Sequence, residues 1–296
     1  MSGFSNILAK FAQNYRKKTM MQPLIINFAP TGIIPTKAQT PYVPISAQEI
    51  IEEVHQAYEI GITIAHLHVR KADGSPSSSI QDYAVVTEGV RKYCPDLVVC
   101  VSLSGRNAPT FEARSEVLEL YPDMGSLTMS SLNFMNQPSM NAPDMIARLA
   151  QKMLDYGVKP EIECFDSGMI NYANYFIKKG LLQPPFYFNI LFGNIFNAQA
   201  DLAHIGLALK DLPAEAHWAL GGLGEFQLKV NAIALANAGG VRIGIEDNIW
   251  FDAGKTKLAS NLDFLKRIHQ LAEILERPLM PARTFGELGF YNSKKP

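Results

Sequence analysis

The sequence predicts an α/β protein built as a single (β/α)8 barrel, the TIM-barrel architecture. Three observations carry that expectation. Short apolar runs alternate strictly with amphipathic helical patterns, eight such pairs fill Leu24–Leu275, and each pair takes about 31 residues, the share expected in a barrel of about 250. Strict strand-helix alternation demands right-handed crossovers and hence a parallel sheet. An open, doubly wound sheet would carry a G-x-G-x-x-G turn after its first strand, but here Pro30-Thr31-Gly32-Ile33-Ile34-Pro35 follows.

In chain order, residues 1–23 come first, with Phe4, Ile7, Leu8 and Phe11 at helical spacing ahead of Arg16, Lys17 and Lys18. A secretory leader puts its charge before its apolar stretch, so 1–23 reads as an N-terminal arm, with a targeting peptide as the lesser alternative, to one catalytic barrel domain, 24–296. Period-two or continuous apolar runs place strands at Leu24–Ala29, Thr63–His68, Leu97–Leu103, Met124–Thr128, Glu161–Phe165, Pro185–Leu191, His217–Leu220 and Val241–Ile245. Helical periodicity falls between them, at Ala47–Ile60, Ile80–Tyr93, Thr110–Leu120, Pro143–Tyr156, Met169–Lys179, Asn197–Lys210, Glu225–Ala238 and Asn261–Leu275. Ser46 with Glu49 reads as a capping box, and Gly61, Gly157, Gly180 and Gly239 follow helix ends.

The charge balance, 27 Lys+Arg against 28 Asp+Glu for a net −1, leaves no electrostatic footprint of a nucleic-acid binder. Cys94, Cys100 and Cys164 are odd in number and form no C-x-x-C pair, which points to buried small hydrophobes in a reducing, cytoplasmic setting. No apolar run approaches the ~18 residues of a membrane span, so a soluble protein with no membrane partner is expected.

A barrel of this kind places chemistry at the C-terminal ends of its strands. On the second strand His66 and His68 share a face by period two, while Leu67 and Val69 turn to the helices. Two imidazoles at i and i+2 on a rigid strand are a common transition-metal, most often zinc, arrangement. At the eighth strand Arg242, Gly244 and Glu246 alternate onto one face, so Glu246 can complete a two-His, one-Glu site. Asp247 lies within reach of Arg242 if the strand end curls, and a guanidinium fork would orient it for proton transfer while tending to lower its pKa. Glu161 and Glu163 share a face of the fifth strand, and Glu163, nearer the mouth, is the candidate for proton management. The polar ends of the third and fourth strands, with Ser102, Gly105 and Ser126, can hold a substrate carboxylate through hydroxyls and amides. The run Gly221-Gly222-Leu223-Gly224 sits where barrels often bind phosphate, although Glu225 opposes a tight anion site there.

Taken together, Thr31-Gly32-x-x-Pro35-Thr36-Lys37, Val43-Pro44-Ile45, His66-Leu67-His68-Val69-Arg70, Pro160-Glu161-Ile162-Glu163 and Arg242-x-Gly244-x-Glu246-Asp247-Asn248 resemble the beta-keto acid cleavage enzyme family over roughly Leu24–Leu279. The resemblance implies a zinc-dependent C-acyltransferase that condenses a β-keto acid with acetyl-CoA and releases acetoacetate and a new acyl-CoA by retro-Claisen cleavage. It implies His66, His68 and Glu246 as zinc ligands, Arg242 with Asp247 as the catalytic dyad, and Ser102, Gly105 and Ser126 as holders of the substrate carboxylate or keto group. Glu163 falls on a position tied to activity.

Departures from the family pattern sharpen the expectation. Members that take an ammonium substrate close the Thr-Gly turn with a Glu, whereas this chain has Ile34, which predicts an apolar or uncharged substrate side chain. Ser102-Leu103-Ser104-Gly105 replaces Ser-Thr-Gly-Gly, Phe192-Gly193-Asn194 stands where the family usually has a Gly-Val-Pro-Gly-Gly loop, and Glu225 replaces an Arg, so the CoA contacts are expected to differ. A zinc-dependent aldolase or lyase working without CoA shares the zinc and the enolate and stays open, as does a barrel that binds a small carboxylic acid without turnover. A zinc hydrolase would carry its H-x-H on the first strand with further ligand histidines later. A homo-oligomer, dimer or tetramer, is expected of such barrels.

Overall fold

The computed structural model of the chain describes residues 22–294, so most of the arm expected over 1–23 lies outside the described residues. Eight parallel strands close into a barrel: β1 Ile26–Phe28, β2 Ile64–Leu67, β3 Val98–Val101, β4 Met124–Thr128, β5 Lys159–Cys164, β6 Tyr187–Phe192, β7 His217–Gly222 and β8 Gly240–Ile243. Each strand pairs with its neighbours in sequence, and β8 closes on β1 with Asn27 opposite Arg242. The expected fold is therefore the observed one.

Helices α1 Ala47–Glu59, α2 Ile80–Tyr93, α3 Phe111–Ser115, α4 Pro143–Tyr156, α5 Ser167–Lys178, α6 Leu202–Lys210, α7 Gln227–Ala236 and α8 Asn261–Ile274 cover the outside. The capping box at Ser46–Glu49 forms on α1, and Ser260–Asp263 makes a second on α8, each contributing about 1 kcal/mol. Two helices start later than the periodicity suggests. For α6, Asn194, Asn197 and Gln199 tie residues 194–199 into a loop, and Asp201 caps the helix by accepting from the His204 N–H. For α7, a 3-10 turn over Gly224–Phe226 precedes the α-helix.

Outward-facing strand residues such as Phe28, Ala65, Leu67, Val99, Val101 and Ile162 bury against the helices. Inward-facing residues form two different layers. At the N-terminal end of the barrel Ile25, Ile64, Val98, Met124, Tyr187 and Ala219 pack into an apolar floor. That floor is sealed by the C-terminal segment after α8, where Phe285 and Phe290 stack with centroids 4.1 Å apart against Tyr187 and His217. His217 thus serves the floor, as its place at the start of the seventh strand suggests. Above the floor the interior is polar: Asn27, His66, Glu161, Asn189 and Arg242 are all buried. A polar layer inside a barrel is costly unless its members satisfy one another, which fixes attention on what holds them.

Candidate active site

Glu161 organises this layer. Its Oε1 accepts from Asn27 Nδ2 and, at 3.1 Å, from Asn189 Nδ2. Its Oε2 accepts from His66 Nδ1 at 2.5 Å and from the Cys100 thiol at 3.2 Å. Burial raises the Glu161 pKa, but His66, Arg242 and Asn27 outweigh it and hold the carboxyl down to about 2. Donation to Glu161 keeps one proton on Nδ1; against burial, Glu161 and Glu246 raise the His66 pKa, so a cation bound at Nε2 would displace the second proton of the charged ring. Sequence reasoning singled out Glu163 on this strand and passed over Glu161. The signal was available: a second inward carboxylate one period below Glu163, level with the H-x-H strand.

His66, His68 and Glu246 meet as expected, their ligating atoms all within 4.8 Å of one another. His68 is buried, which lowers its pKa to about 4 against the pull of Glu246, so at neutral pH its imidazole is a neutral donor. Burial raises Glu246, yet His68, Arg242 and His66 together drive it well below the ordinary carboxylate range. Its Oε1 lies 3.2 Å from His68 Nε2 and 2.8 Å from Arg242 Nη2, whereas its Oε2 is buried with no hydrogen-bond partner. An ionised oxygen left unpaired beside two imidazoles suits a cation. Four carboxyl groups, of Glu161, Glu163, Glu246 and Asp247, surround the single guanidinium of Arg242, an excess of acid over base that a divalent ion would balance. The donor set fits zinc, and a second cluster of His66, Cys100 and Glu161 is already closed by its own hydrogen bonds.

Two glycines let Glu246 take this position. At Gly244, with φ 152°, the chain turns out of β8; a Cβ there would lie 2.0 Å from the Ala29 carbonyl oxygen. Strand β8 therefore ends at Ile243 instead of Ile245, and Glu246 hangs from the β1 edge by its N–H to the Ala29 oxygen. Gly32, at φ 60°, passes so close that a Cβ would come within 2.5 Å of Glu246 Cγ. Arg70 pins that turn, donating to the carbonyls of Gly32 at 2.8 Å and Pro35 at 3.1 Å.

The strand end does curl, and Asp247 Oδ2 accepts from Arg242 Nε at 2.9 Å. The expected lowering of the Asp247 pKa is not what results. Burial, reinforced by Glu246, outweighs Arg242 and raises it. Glu163 is likewise raised, by burial and by the neighbouring Glu161 charge; its Oε2 accepts from Thr128 Oγ1 at 2.8 Å, and its Oε1 lies 3.7 Å from Arg242 Nη1.

His66, His68, Thr128, Glu163, Arg242, Glu246 and Asp247 face one cavity of about 200 Å³ at the C-terminal mouth of the barrel, whose wall also includes Ser102, Ile34, Arg106, Phe134 and Leu223. Two expected substrate contacts stand apart from it. Ser126 Oγ accepts from the Leu103 N–H at 3.0 Å, and Gly105 is packed where a Cβ would lie 2.5 Å from the Met140 carbonyl oxygen. The glycine run after β7 is likewise taken up by packing: a Cβ at Gly222 would strike the Phe226 backbone, and Gly224 N–H donates to the Asp247 oxygen at 2.7 Å. Arg106 escaped sequence reasoning because a loop residue has no periodicity to aim it. The three cysteines are free and buried, as expected.

The barrel thus sets a two-histidine, one-carboxylate cluster that could hold a metal ion beside an Arg-held aspartate. A sequence model of the beta-keto acid cleavage enzyme family matches residues 23–288, and the chain belongs to that family. It is 35% identical over 262 residues to a 3-keto-5-aminohexanoate cleavage enzyme of Fusobacterium nucleatum subsp. nucleatum, covering 88% of this chain and 95% of the relative. It is 38% identical over 264 residues to a 3-oxoadipate:acetyl-CoA acetyltransferase of Cupriavidus necator, with 88% and 92% covered. The chain is accordingly an enzyme of C-acyltransferase type. The solved apo structure of ObcA superposes with a TM-score of 0.74 at 18% identity, covering 86% of this chain and 67% of that one, which reflects the shared barrel. No helix among the described residues is long and apolar enough to cross a membrane.

Proposed function

We propose that this enzyme condenses a β-keto acid with acetyl-CoA and releases acetoacetate and a new acyl-CoA, with zinc held by His66, His68 and Glu246. The observation that carries the reading is one guanidinium joining the two halves of the site: Arg242 meets Glu246 at 2.8 Å and Asp247 at 2.9 Å on the wall of a single cavity. When bound, the metal polarises the substrate ketone and makes the adjacent C–H acidic.

The chain's own residues do the remainder. Asp247, oriented by Arg242 and with its proton affinity raised by burial, takes the proton from C2 of the keto acid. The carbanion forms a bond to the acetyl carbonyl carbon as the CoA thiolate leaves. The thiolate then adds to the original ketone carbon, the C2–C3 bond breaks, and C2 recovers a proton to give acetoacetate. Glu163, held by Thr128, faces the same space and is placed to take part in that proton return. Ser102 offers its hydroxyl to the substrate, while Ser126 and Gly105 act one step back by fixing the loop after β3. Ile34 puts an apolar wall where an ammonium would need a carboxylate, so an uncharged side chain on the substrate is expected.

Support for the acyl acceptor comes from the acetyltransferase relative above, whose name includes acetyl-CoA. The test is a panel of β-keto acids assayed with and without acetyl-CoA, before and after chelation. Acetoacetate formed only when both substrates and metal are present is the expected result. Metal-loaded protein that turns over no member of the panel contradicts the reading.

A further inference from the structure

The wall of the active-site cavity contains two guanidiniums and no lysine, and they are in opposite situations. Arg242 is ion-paired: Glu246, Asp247 and Glu163 all lie within 4 Å of its nitrogens, although its Nη1 makes no hydrogen bond. Arg106 has no carboxylate within that distance among the described residues, and its only hydrogen-bond acceptor there is Ser104 Oγ, 3.4 Å from Nε. Its guanidinium carbon sits 4.5 Å from the centroid of Phe134, which in turn stands edge-on to Phe165 at 5.7 Å. A guanidinium stacked on an aromatic face is held in one plane and presents its terminal N–H edge sideways, the geometry that takes a carboxylate bidentately.

The supports of this arrangement are themselves fixed. Phe134 belongs to a hairpin in which Leu132–Asn133 pairs with Pro138–Ser139. Arg114 ties that hairpin to the β3 loop, donating to the Leu103 oxygen at 2.8 Å, the Met140 oxygen at 3.1 Å and Asn141 Oδ1 at 2.7 Å. Gly105 gives the room for this crossing, which explains why it is glycine although it does not line the cavity.

Every β-keto acid carries a carboxylate at C1, and the cavity otherwise bristles with carboxylates that repel it. We propose that Arg106 is the substrate-binding cation of this enzyme: it takes the C1 carboxylate of the keto acid, with Ser102 and Ser104 beside it. The proposal rests on the functional reading above and names the group that recognises its substrate.

The test compares wild type, Arg106→Gln and Arg106→Lys on a monocarboxylate β-keto acid, the matching dicarboxylate, and the methyl ester of the monocarboxylate. Losing a charge-assisted bidentate contact should raise KM for both acids about 10- to 100-fold in Arg106→Gln, with Arg106→Lys recovering part of it. The ester, poorly used by wild type, should be used equally by wild type and Arg106→Gln, so that discrimination between acid and ester collapses. Metal content and Tm measured alongside establish that the variants are folded and loaded; if Arg106→Gln fails to fold, the acid-to-ester ratio of Arg106→Lys decides, a ratio equal to that of wild type overturning the proposal. A KM for the monocarboxylate unchanged in Arg106→Gln overturns it too, and a loss confined to the dicarboxylate does so by assigning Arg106 to the far end of the substrate. Wild type that turns over no β-keto acid removes the functional reading and this proposal together.

Discussion

Glu161 does not line the substrate cavity, yet four side chains converge on it, and by accepting from Nδ1 it orients His66, a candidate metal ligand. A neutral amide cannot reproduce it. In Glu161→Gln the amide NH2 must point at either the His66 N–H and Cys100 thiol or the two asparagine amides, leaving donors face to face. Metal affinity should fall about 10- to 100-fold, with activity returning at high zinc. A zinc competition titration checks this, and an unchanged affinity in a folded variant contradicts the role assigned to Glu161. At this scale the sequence was readable where a strand set the direction. His66, His68, Glu163 and Arg242 follow period two, and they meet. It was less readable where loops or charges decide: Arg106, Gly105 and Ser126 depend on how the β3 and β4 loops cross, and the raised Asp247 pKa depends on Glu246 and on burial that no pair of residues reveals.

Among elements, the turn after β1 does the most for the site. Thr31-Gly32-Ile33-Ile34-Pro35 brings Ile34 to the cavity wall and lays Gly32 against the side chain of Glu246. Gly32→Ala asks for a left-handed backbone and pushes a methyl into Glu246 Cγ, so the ligand must move. Zinc stoichiometry and Tm should both drop, the first more than the second, because the barrel floor lies far from this turn. A variant that binds zinc as tightly as wild type contradicts the account of why this position is glycine. The eight strand-helix pairs were legible because a buried strand and an amphipathic helix have different periods. Element ends were less so: the late start of α6 depends on Asn194, Asn197 and Gln199 bonding to backbone, and the short β8 on Gly244 passing the Ala29 carbonyl. The floor built by Phe285 and Phe290 escaped altogether, since a short aromatic segment after the last helix has no period to announce it.

Across the whole molecule, near-zero net charge hides a sharply unequal distribution: carboxylates and imidazoles crowd the upper interior while the floor is apolar. A metal that binds only this folded arrangement stabilises it by mass action, about 2.7 kcal/mol when free metal is 100 times its Kd. Dialysis against a chelator should therefore lower Tm and zinc restore it, whereas Glu246→Gln should respond to neither; a wild-type Tm indifferent to chelation contradicts the metal assignment. The central claim, that this cavity joins metal-assisted proton transfer to acyl exchange with acetyl-CoA, is tested most directly by following carbonyl-labelled [13C]acetyl-CoA through turnover of a β-keto acid by NMR. The account predicts the label at the ketone carbon of acetoacetate and an unlabelled acyl group in the new acyl-CoA; keto acid consumed while acetyl-CoA keeps its label would contradict it.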